Sequence, residues 1–252
     1  MVEKIKYWFG FIVLYKNWPE LLLNRLNGIN STRVNLRNGH KIVGSVNSPL
    51  TIVMDETFIL RRYTPKEMVV NTGDVVVDIG ANIGIFSIFA YLNGASKIIS
   101  YEPDPVSFKD LQNNIKINNI DTIKPVNLAI TNKNIFVKLY TYKNNGGNSV
   151  FNNDKEGKAI KVCSIKLLDV FKQNKISKID FLKIDCEGSE GLIFKSINKT
   201  VLSKINKISL EYHDNVSPIN HKQIIQILIK NNFNTKQVSI GENFGYIYAW
   251  KK

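Results

Sequence analysis

The chain has 252 residues, of which 44% are hydrophobic and 22% charged, and this composition is typical of a folded protein rather than a disordered one. Its two cysteines and three histidines argue against a disulfide framework and against a structural zinc site. The net charge of +13 would suit a nucleic acid, an anionic membrane or a phosphorylated substrate, but the lysines are scattered and form no dense basic block. We therefore expect no specific nucleic acid partner, and the low cysteine content predicts a cytoplasmic protein.

The N-terminal segment, residues 1–30, is predicted to be helical with a break near Trp18. Its apolar run, residues 7–15, is too short to cross a bilayer, which requires about 20 residues, and no signal cleavage site follows it. Two interpretations remain. We favour an amphipathic helix docked on the domain; the alternative is a peripheral membrane contact through residues 1–26, with tryptophans and lysines at the lipid surface.

Residues 33–60 are predicted to form short strands, with a hairpin turn at 37–40. From Thr72 onward, strands and helices alternate. The predicted strands cover 75–79, 97–101, 123–128, 135–140, 179–184 and 207–213, and two β-rich runs close the chain at 233–240 and 246–250. The predicted helices cover 83–92, 105–118, a segment after residue 184, and 218–231.

This alternation predicts an α/β fold, an open and mostly parallel sheet with helices on both faces. The two closing runs predict a C-terminal antiparallel hairpin. We expect two parts: a small N-terminal helical and β appendage at residues 1–68, and the sheet domain at residues 69–252. Ligands of such sheets bind beyond the carboxyl ends of the strands, where the strand order reverses.

The sequence VVVDIGANIGIFSIFA, residues 75–90, carries a strand into a glycine loop and then into a helix. Gly80 and Gly84 permit a tight turn and a close ligand approach, and the helix that starts near Asn82 is expected to present free N–H groups to an anion. Glu102 follows the next strand, where an acid can accept hydrogen bonds from both hydroxyls of a ribose. The loop therefore predicts a nucleoside-containing cofactor.

The loop lacks the G-x-G-x-x-G spacing of dinucleotide sites, which argues against an NAD-dependent oxidoreductase. Asp78 would repel a pyrophosphate but suits a ligand with an amine and a sulfonium. S-adenosyl-L-methionine has both of these groups, together with a carboxylate and a ribose. Asn127 is placed to approach its adenine, and Ala129 leaves space beside it. The alternative is a tight glycine turn with two incidental acids.

Four segments, VVVDIGANIGIFSIFA, YEPDPVSFKDLQNNIKIN, FLKIDCEGSE and LEYH, resemble the FkbM-type family of S-adenosylmethionine-dependent methyltransferases, over about residues 70–215. The resemblance implies a class I methyltransferase (Rossmann-like) fold and methyl transfer to oxygen, often on sugars or glycosylated natural products. By its composition the small polar segment 144–150 is either a flexible hairpin tip or a loop over the cofactor; the resemblance implies the loop, with contacts through Asn148 and Ser149. The predicted cofactor contacts are thus Asp78, Gly80, Ala81, Asn82, Gly84, Glu102, Pro103, Asp104, Asn127, Ala129, Asn148, Ser149 and Asp185.

Methyl transfer to a hydroxyl requires an aligned acceptor and a group that takes its proton. Asp185 and Glu187 follow one buried strand, and alternation puts Glu211 and His213 on one face at the end of another. We predict His213 as the base because its pKa lies near neutrality, with Asp185 as the rival and Glu211 orienting His213 or binding an acceptor hydroxyl. The same four residues could hold a divalent metal; we predict that none is bound. Glu190 is expected only to complement a helix dipole.

These observations predict an O-methyltransferase that acts on a hydroxyl of a sugar, a glycan or a glycosylated metabolite, lipid-linked acceptors included. The alternatives are a nucleic-acid-directed methyltransferase, an NAD-dependent oxidoreductase and a non-catalytic binding module. Amino-methylating enzymes of nucleic acids carry an Asn/Asp-Pro-Pro-aromatic motif after the fourth strand, where this chain has Asp-Cys-Glu-Gly. The acceptor's identity and the oligomeric state are left open.

Overall fold

A computed structural model describes residues 2–45, 48–141, 149 and 158–251. Its helices are α1 (Val2–Leu14), α2 (Trp18–Leu26), α3 (Leu50–Met54), which continues into a π-helical turn (Asp55–Ile59), α4 (Ile85–Leu92), α5 (Pro105–Ile117), α6 (Leu167–Asn174), α7 (Glu190–Ser196), α8 (Lys199–Leu202) and α9 (His221–Lys230). Its strands are β1 (Arg33–Asn35), β2 (Lys41–Val43), β3 (Val75–Ile79), β4 (Lys97–Tyr101), β5 (Ile123–Val126), β6 (Ala129–Thr131), β7 (Phe136–Thr141), β8 (Lys158–Lys166), β9 (Ile179–Ile184), β10 (Ile205–His213), β11 (Phe233–Ser239) and β12 (Phe244–Lys251).

The central sheet has seven strands in the order β11-β12-β10-β9-β3-β4-β5. Its pairs are parallel except those of β12, which runs antiparallel to both β10 and β11. The predicted fold class and terminal hairpin are therefore confirmed. Because β3 pairs with β4 on one side and with β9 on the other, the strand order reverses at β3, and a crevice opens at the carboxyl ends of β3 and β9.

Alternation along the central strands separates two apolar layers. Val76 of β3 and Phe181 of β9 face the layer that also contains α1 and α4, whereas Val77 and Leu182 face the layer of α6, α7 and α9. All four side chains are fully buried. Both faces of these strands are covered, which explains why β3 and β9 are continuous apolar runs in the sequence.

The N-terminal helices share the first of these layers. Phe11 of α1 and Tyr15, which follows the helix, belong to the same core cluster as Val76. Asp55 of the π-helical turn connects the two N-terminal helices, because it accepts hydrogen bonds from Tyr7 (2.5 Å), Tyr15 (2.7 Å) and Arg25 (2.7 Å). The favoured interpretation of the N-terminal segment, a helix docked on the domain, therefore holds for the side of α1 that carries Phe11. The division of the chain at residue 68 stays a prediction.

The hairpin of β1 and β2 forms with its turn at 37–40, as expected. The prediction of strands up to residue 60 is wrong, because residues 50–59 are helical. Leu50 and Met54, four residues apart, both point into the core, which is helical spacing. The sequence reading also missed β8, which pairs with β6 and β7 in a separate three-stranded sheet, and helix α6.

Candidate active site

The glycine loop between β3 and α4 packs against the protein itself. Gly80 has φ +74°, and a β carbon on it would lie 1.7 Å from the carbonyl oxygen of Asp185. Gly84 has φ +90°, and its β carbon would lie 2.5 Å from Leu111 Cδ1. Both positions therefore require glycine to bring the loop against the neighbouring strand and helix, as a tight turn does. That Gly80, which lines the cavity described below, also permits the close approach of a ligand stays a prediction.

The N–H groups of the loop have partners within the protein. Those of Gly80 and Ala81 both donate to the carbonyl of Tyr101 at 3.0 Å, and that of Asn82 donates to Glu102 Oε2 at 2.7 Å. Helix α4 begins only at Ile85, since Asn82 and Gly84 take left-handed conformations. The expectation of free N–H groups starting near Asn82 is thus corrected.

Beneath the loop lies a buried charge network that the sequence reading missed. Asp78 is fully buried; it accepts a hydrogen bond from Ser87 Oγ at 2.7 Å and lies 3.2 Å from Lys183 Nζ. Lys183 Nζ also donates to the carbonyl of Gly80 at 2.7 Å and lies 3.4 Å from Asp185 Oδ2. Burial would lower the pKa of Lys183, but Asp78 and Asp185 outweigh it and raise that pKa. Asp78 thus supports the loop from below and is not among the residues that line the cavity described next. In the sequence, this network could have been recognised from Lys183, a charged residue inside an apolar strand.

A cavity of about 290 Å³ opens at the carboxyl ends of the central strands. One end is walled by Glu102 together with the apolar residues 128–130. Glu102 is buried, which raises the pKa of its carboxyl to about 7, and its oxygens accept the N–H groups of Asn82 and Asp104. A carboxylate beside an apolar slot suits the hydroxyls of a ribose and the flat face of a heterocycle, so these residues fit S-adenosylmethionine.

The predicted cofactor residues divide into two groups. Those that line the cavity are Gly80, Ala81, Asn82, Glu102, Pro103, Ala129 and Asp185. The other described ones do not line it: Asn127 Nδ2 donates to the carbonyl of Glu102 at 2.8 Å, and Asp104 caps α5 by accepting from the Ser107 N–H at 3.0 Å. Ser149 is buried and its hydroxyl donates to the carbonyl of Glu187, while Asn148 lies outside the described residues.

The other end of the cavity is acidic. Asp185, Glu187 and Glu211 line it, and the hydroxyl of Tyr63 lies 2.8 Å from Asp185 Oδ2 and 3.0 Å from Glu211 Oε2. Burial and the charge of Asp185 raise the pKa of Glu211 to about 7 and that of Glu187 to about 8. Burial also raises the pKa of Tyr63, with Asp185 and Glu211 adding to the shift. Tyr63 comes from the N-terminal part of the chain, so motif reading could not place it here.

His213 lies behind these carboxylates and does not line the cavity. Its Nε2 is 3.4 Å from Glu187 Oε2 and 3.9 Å from Glu211 Oε1, and its Nδ1 is 3.4 Å from Glu190 Oε1. Burial alone would lower its pKa, but Glu190 and Glu187 raise it to about 10. Near neutral pH the imidazole is therefore protonated, a state that cannot accept a proton. Glu190 is fully buried and contacts His213, which is more than the dipole role expected of it.

Within the described part of the chain, no group of three or more His, Cys, Asp or Glu side chains is arranged to hold a metal ion. Both cysteines are free. That the protein works without a metal stays a prediction.

The sheet order, with its single antiparallel strand inserted next to the edge, and the acid-walled crevice at β3 define a class I methyltransferase. Residues 78–248 match the family model described as "Methyltransferase FkbM domain". The chain therefore belongs to the FkbM family of methyltransferases, and its cofactor is S-adenosyl-L-methionine. This membership removes the NAD-dependent oxidoreductase from the alternatives.

Two curated proteins and one solved structure illustrate the similarity of the chain to known methyltransferases. The chain is 28% identical to "31-O-demethyl-FK506 methyltransferase FkbM" of Streptomyces tacrolimicus, over 63% of this chain and 73% of that one. It is 25% identical to "Methyltransferase sdnD" of Sordaria araneosa, over 54% and 65% of the two chains. Among solved structures, the methyltransferase FkbM of Methylobacillus flagellatus KT is similar with a TM-score of 0.47 and 16% identity, over 71% of this chain and 44% of that one.

Proposed function

We propose that the protein transfers a methyl group from S-adenosylmethionine to a hydroxyl of a sugar, a glycan or a glycosylated metabolite. The observation that carries this proposal is the wall formed by Asp185, Glu187, Glu211 and Tyr63 at one end of the cavity. Carboxylates accept hydrogen bonds from several hydroxyls at once, as a polyol acceptor requires. In their ionised form they repel the phosphates of a nucleic acid, which disfavours that acceptor despite the positive net charge.

Transfer to oxygen has support from the FkbM relative, whose name describes a substrate demethylated at an oxygen. That substrate belongs to the relative, and the acceptor class proposed for this chain depends on the acidic wall instead. The cofactor supplies the methyl group when bound. Glu102 is placed to bind its ribose, and the acidic end of the cavity would then hold the acceptor.

The proton of the acceptor hydroxyl goes, in this proposal, to the carboxylate pair that Tyr63 bridges. A phenol carries one proton, so it can donate to only one of the two carboxylates within its reach. With Tyr63 donating to Asp185, the second contact needs a proton on Glu211, and the pKa of about 7 for Glu211 allows this state near neutral pH. Activity should therefore rise with pH as Glu211 loses this proton and becomes able to accept the proton of the acceptor.

His213 acts in this scheme as a positioning cation. Its positive charge lowers the pKa of Glu211 and of Glu187, since it opposes the effects of burial and of neighbouring carboxylates. Replacing His213 by Asn should therefore move the pH profile of kcat upward, because Glu211 would then hold its proton to higher pH. If His213 itself were the base, the same replacement would abolish the pH-dependent rise instead.

The test of the reaction uses S-adenosylmethionine with a radiolabelled methyl group and a panel of glycans, lipid-linked sugars and RNA. We expect label in a base-stable ether on a sugar. Label on a nucleobase or on nitrogen would contradict the proposal.

The test of the base compares Glu211→Gln with Glu67→Gln, a control that removes an exposed carboxylate which pairs with Lys236 at the surface. Glu211→Gln should lower kcat by about 10²–10⁴ with cofactor affinity retained, whereas Glu67→Gln should match the parent. Equal activity of both variants would exclude Glu211 from proton transfer.

A further inference from the structure

Helix α1 has an outer face that the fold leaves exposed. Phe11 and Tyr15 are fully buried on its inner side. The outer face consists of five apolar side chains with the following exposed fractions: Ile5 62%, Trp8 40%, Phe9 70%, Ile12 40% and Val13 51%. Their spacing of i, i+3, i+4, i+7 and i+8 is that of one continuous helical stripe. Contiguous apolar surface of this kind marks an interaction site, because isolated soluble domains rarely expose it.

Cations lie at both ends of this outer face. Lys4 and Lys6 flank Ile5 at one end, and Lys16 follows the stripe at the other. Arg37 joins Lys16 there, since its Nε donates to the carbonyl of Ile12 at 3.0 Å. Among the described residues, none of these four cations forms an ion pair with a carboxylate. Glu3 is the acid of α1 itself. A protein partner would need acidic side chains opposite these cations at both ends and an apolar surface opposite the outer face between them.

We propose that the outer face of α1 binds the surface of an anionic phospholipid bilayer. Apolar side chains with a tryptophan would enter the boundary between headgroups and acyl chains, and the cations would meet the phosphates. No helix in the described part of the chain is long and apolar enough to cross a bilayer, and α1 has 13 residues. The helix would therefore lie in the plane of the interface.

The position of α1 would also bring the cavity close to the lipid. Helix α1 packs on the π-helical turn: a β carbon on Gly10 would lie 3.1 Å from Ile59 Cγ2, and Tyr7 bonds to Asp55. Glu56 of the same turn lines the cavity, and so does Ile52, whose side chain is 59% exposed. A lipid-linked acceptor could reach the site from the interface; this last step alone depends on the proposed function.

The experiment measures co-sedimentation of the full chain with two kinds of vesicle, one of phosphatidylcholine and phosphatidylglycerol in equal parts and one of phosphatidylcholine alone. We expect binding to the anionic vesicles that weakens as salt rises. Phe9→Glu should lower the partition coefficient about ten- to a hundredfold, the loss expected when one aromatic side chain cannot be buried. Lys4→Gln should lower it about fivefold, and only for the anionic vesicles.

The matched control is Ile229→Glu. Ile229 is 55% exposed on α9, which packs on the opposite face of the sheet, so this variant should bind vesicles as the parent does. Unchanged binding of Phe9→Glu, or equal binding of the parent to both vesicle types, would overturn the proposal. So would a dimer of the parent in light scattering that Phe9→Glu converts to a monomer, because a second copy would then cover this face. Unaltered binding of S-adenosylhomocysteine by Phe9→Glu shows that the variant is folded.

Discussion

Replacing Lys183 by Met should destabilise the protein strongly, because it removes the counter-ion of a buried carboxylate. Asp78 is fully buried, and without the ammonium 3.2 Å away it keeps the hydrogen bond from Ser87 as its compensation. Breaking a buried pair in this way costs about 3–5 kcal/mol. In a chain of this size each kcal/mol corresponds to about 2–4 °C in Tm, so Tm should fall by about 6–20 °C. Urea and thermal unfolding followed by circular dichroism measure both quantities.

Two further variants show whether the effect comes from the buried charge. Adding Asp78→Asn to Lys183→Met removes the uncompensated charge and should restore part of the stability, with a coupling energy of about 0.5–3 kcal/mol in the double-mutant cycle. Lys178→Met breaks a comparable pair with Asp180 (2.8 Å), but Lys178 is 61% exposed, so its loss should change the stability little. If Lys183→Met cost no more than Lys178→Met, the reasoning about the buried network would be refuted.

Three other predictions concern the cavity. Glu102→Ala should weaken the binding of S-adenosylhomocysteine by about 1.5–3 kcal/mol in isothermal titration, and unchanged affinity would remove Glu102 from the cofactor site. Gly80→Ala should lower the free energy of unfolding by more than about 1 kcal/mol, since its β carbon would lie 1.7 Å from the Asp185 carbonyl oxygen; a variant of parental stability would contradict this clash. Burial raises the pKa values of Glu187 and Glu211 from an ordinary 4.5 to about 8 and about 7, so the folded state holds protons that the unfolded chain has released, and stability should fall as pH rises from about 5 to 8. Glu211→Gln should flatten this fall in Tm, and an equally steep fall in that variant would assign it to other groups.

The sheet could be predicted from the sequence because its strands have a simple signature. Strands β3 and β9 are buried on both faces and therefore appear as short apolar runs, each ended by an acid or a glycine. Residues 50–59 misled the same reasoning, since their β-branched residues favour a strand while the core contacts of Leu50 and Met54 favour a helix. Strand β8 was missed because Lys158, Lys161 and Lys166 interrupt its apolar residues and it lies in a small separate sheet.

The site could be predicted only as a set of residues at one edge of the sheet. Carboxyl ends of parallel strands meet there, so the sequence placed Glu102, Asp185 and Glu211 near one another. It did not show which groups would be paired, because Lys183 and Tyr63 reach the cavity through tertiary packing. His213 shows how such unpredicted pairing changes the role expected of a residue. Taken alone it has the pKa of a base near neutrality, but Glu190 and Glu187 surround it and raise that pKa to about 10.

The charge around the cavity also bears on the choice of acceptor. Asp185, Glu187 and Glu211 line the cavity together with Lys183, which lies 3.4 Å from Asp185, whereas His213 lies behind Glu187. Burial, and after it the charge of Asp185, raise the pKa values of the two glutamates, and the nearby charge of His213 does not offset both effects. Such a surface favours a cationic methyl donor and a neutral polyhydroxyl acceptor, and an acceptor with a phosphate at the reacting end would add to the repulsion. The acidic end of the cavity therefore does not account for the positive net charge of the chain. Part of that charge lies in the cations at the ends of the outer face of α1, where it can bind anionic lipid in the proposal above.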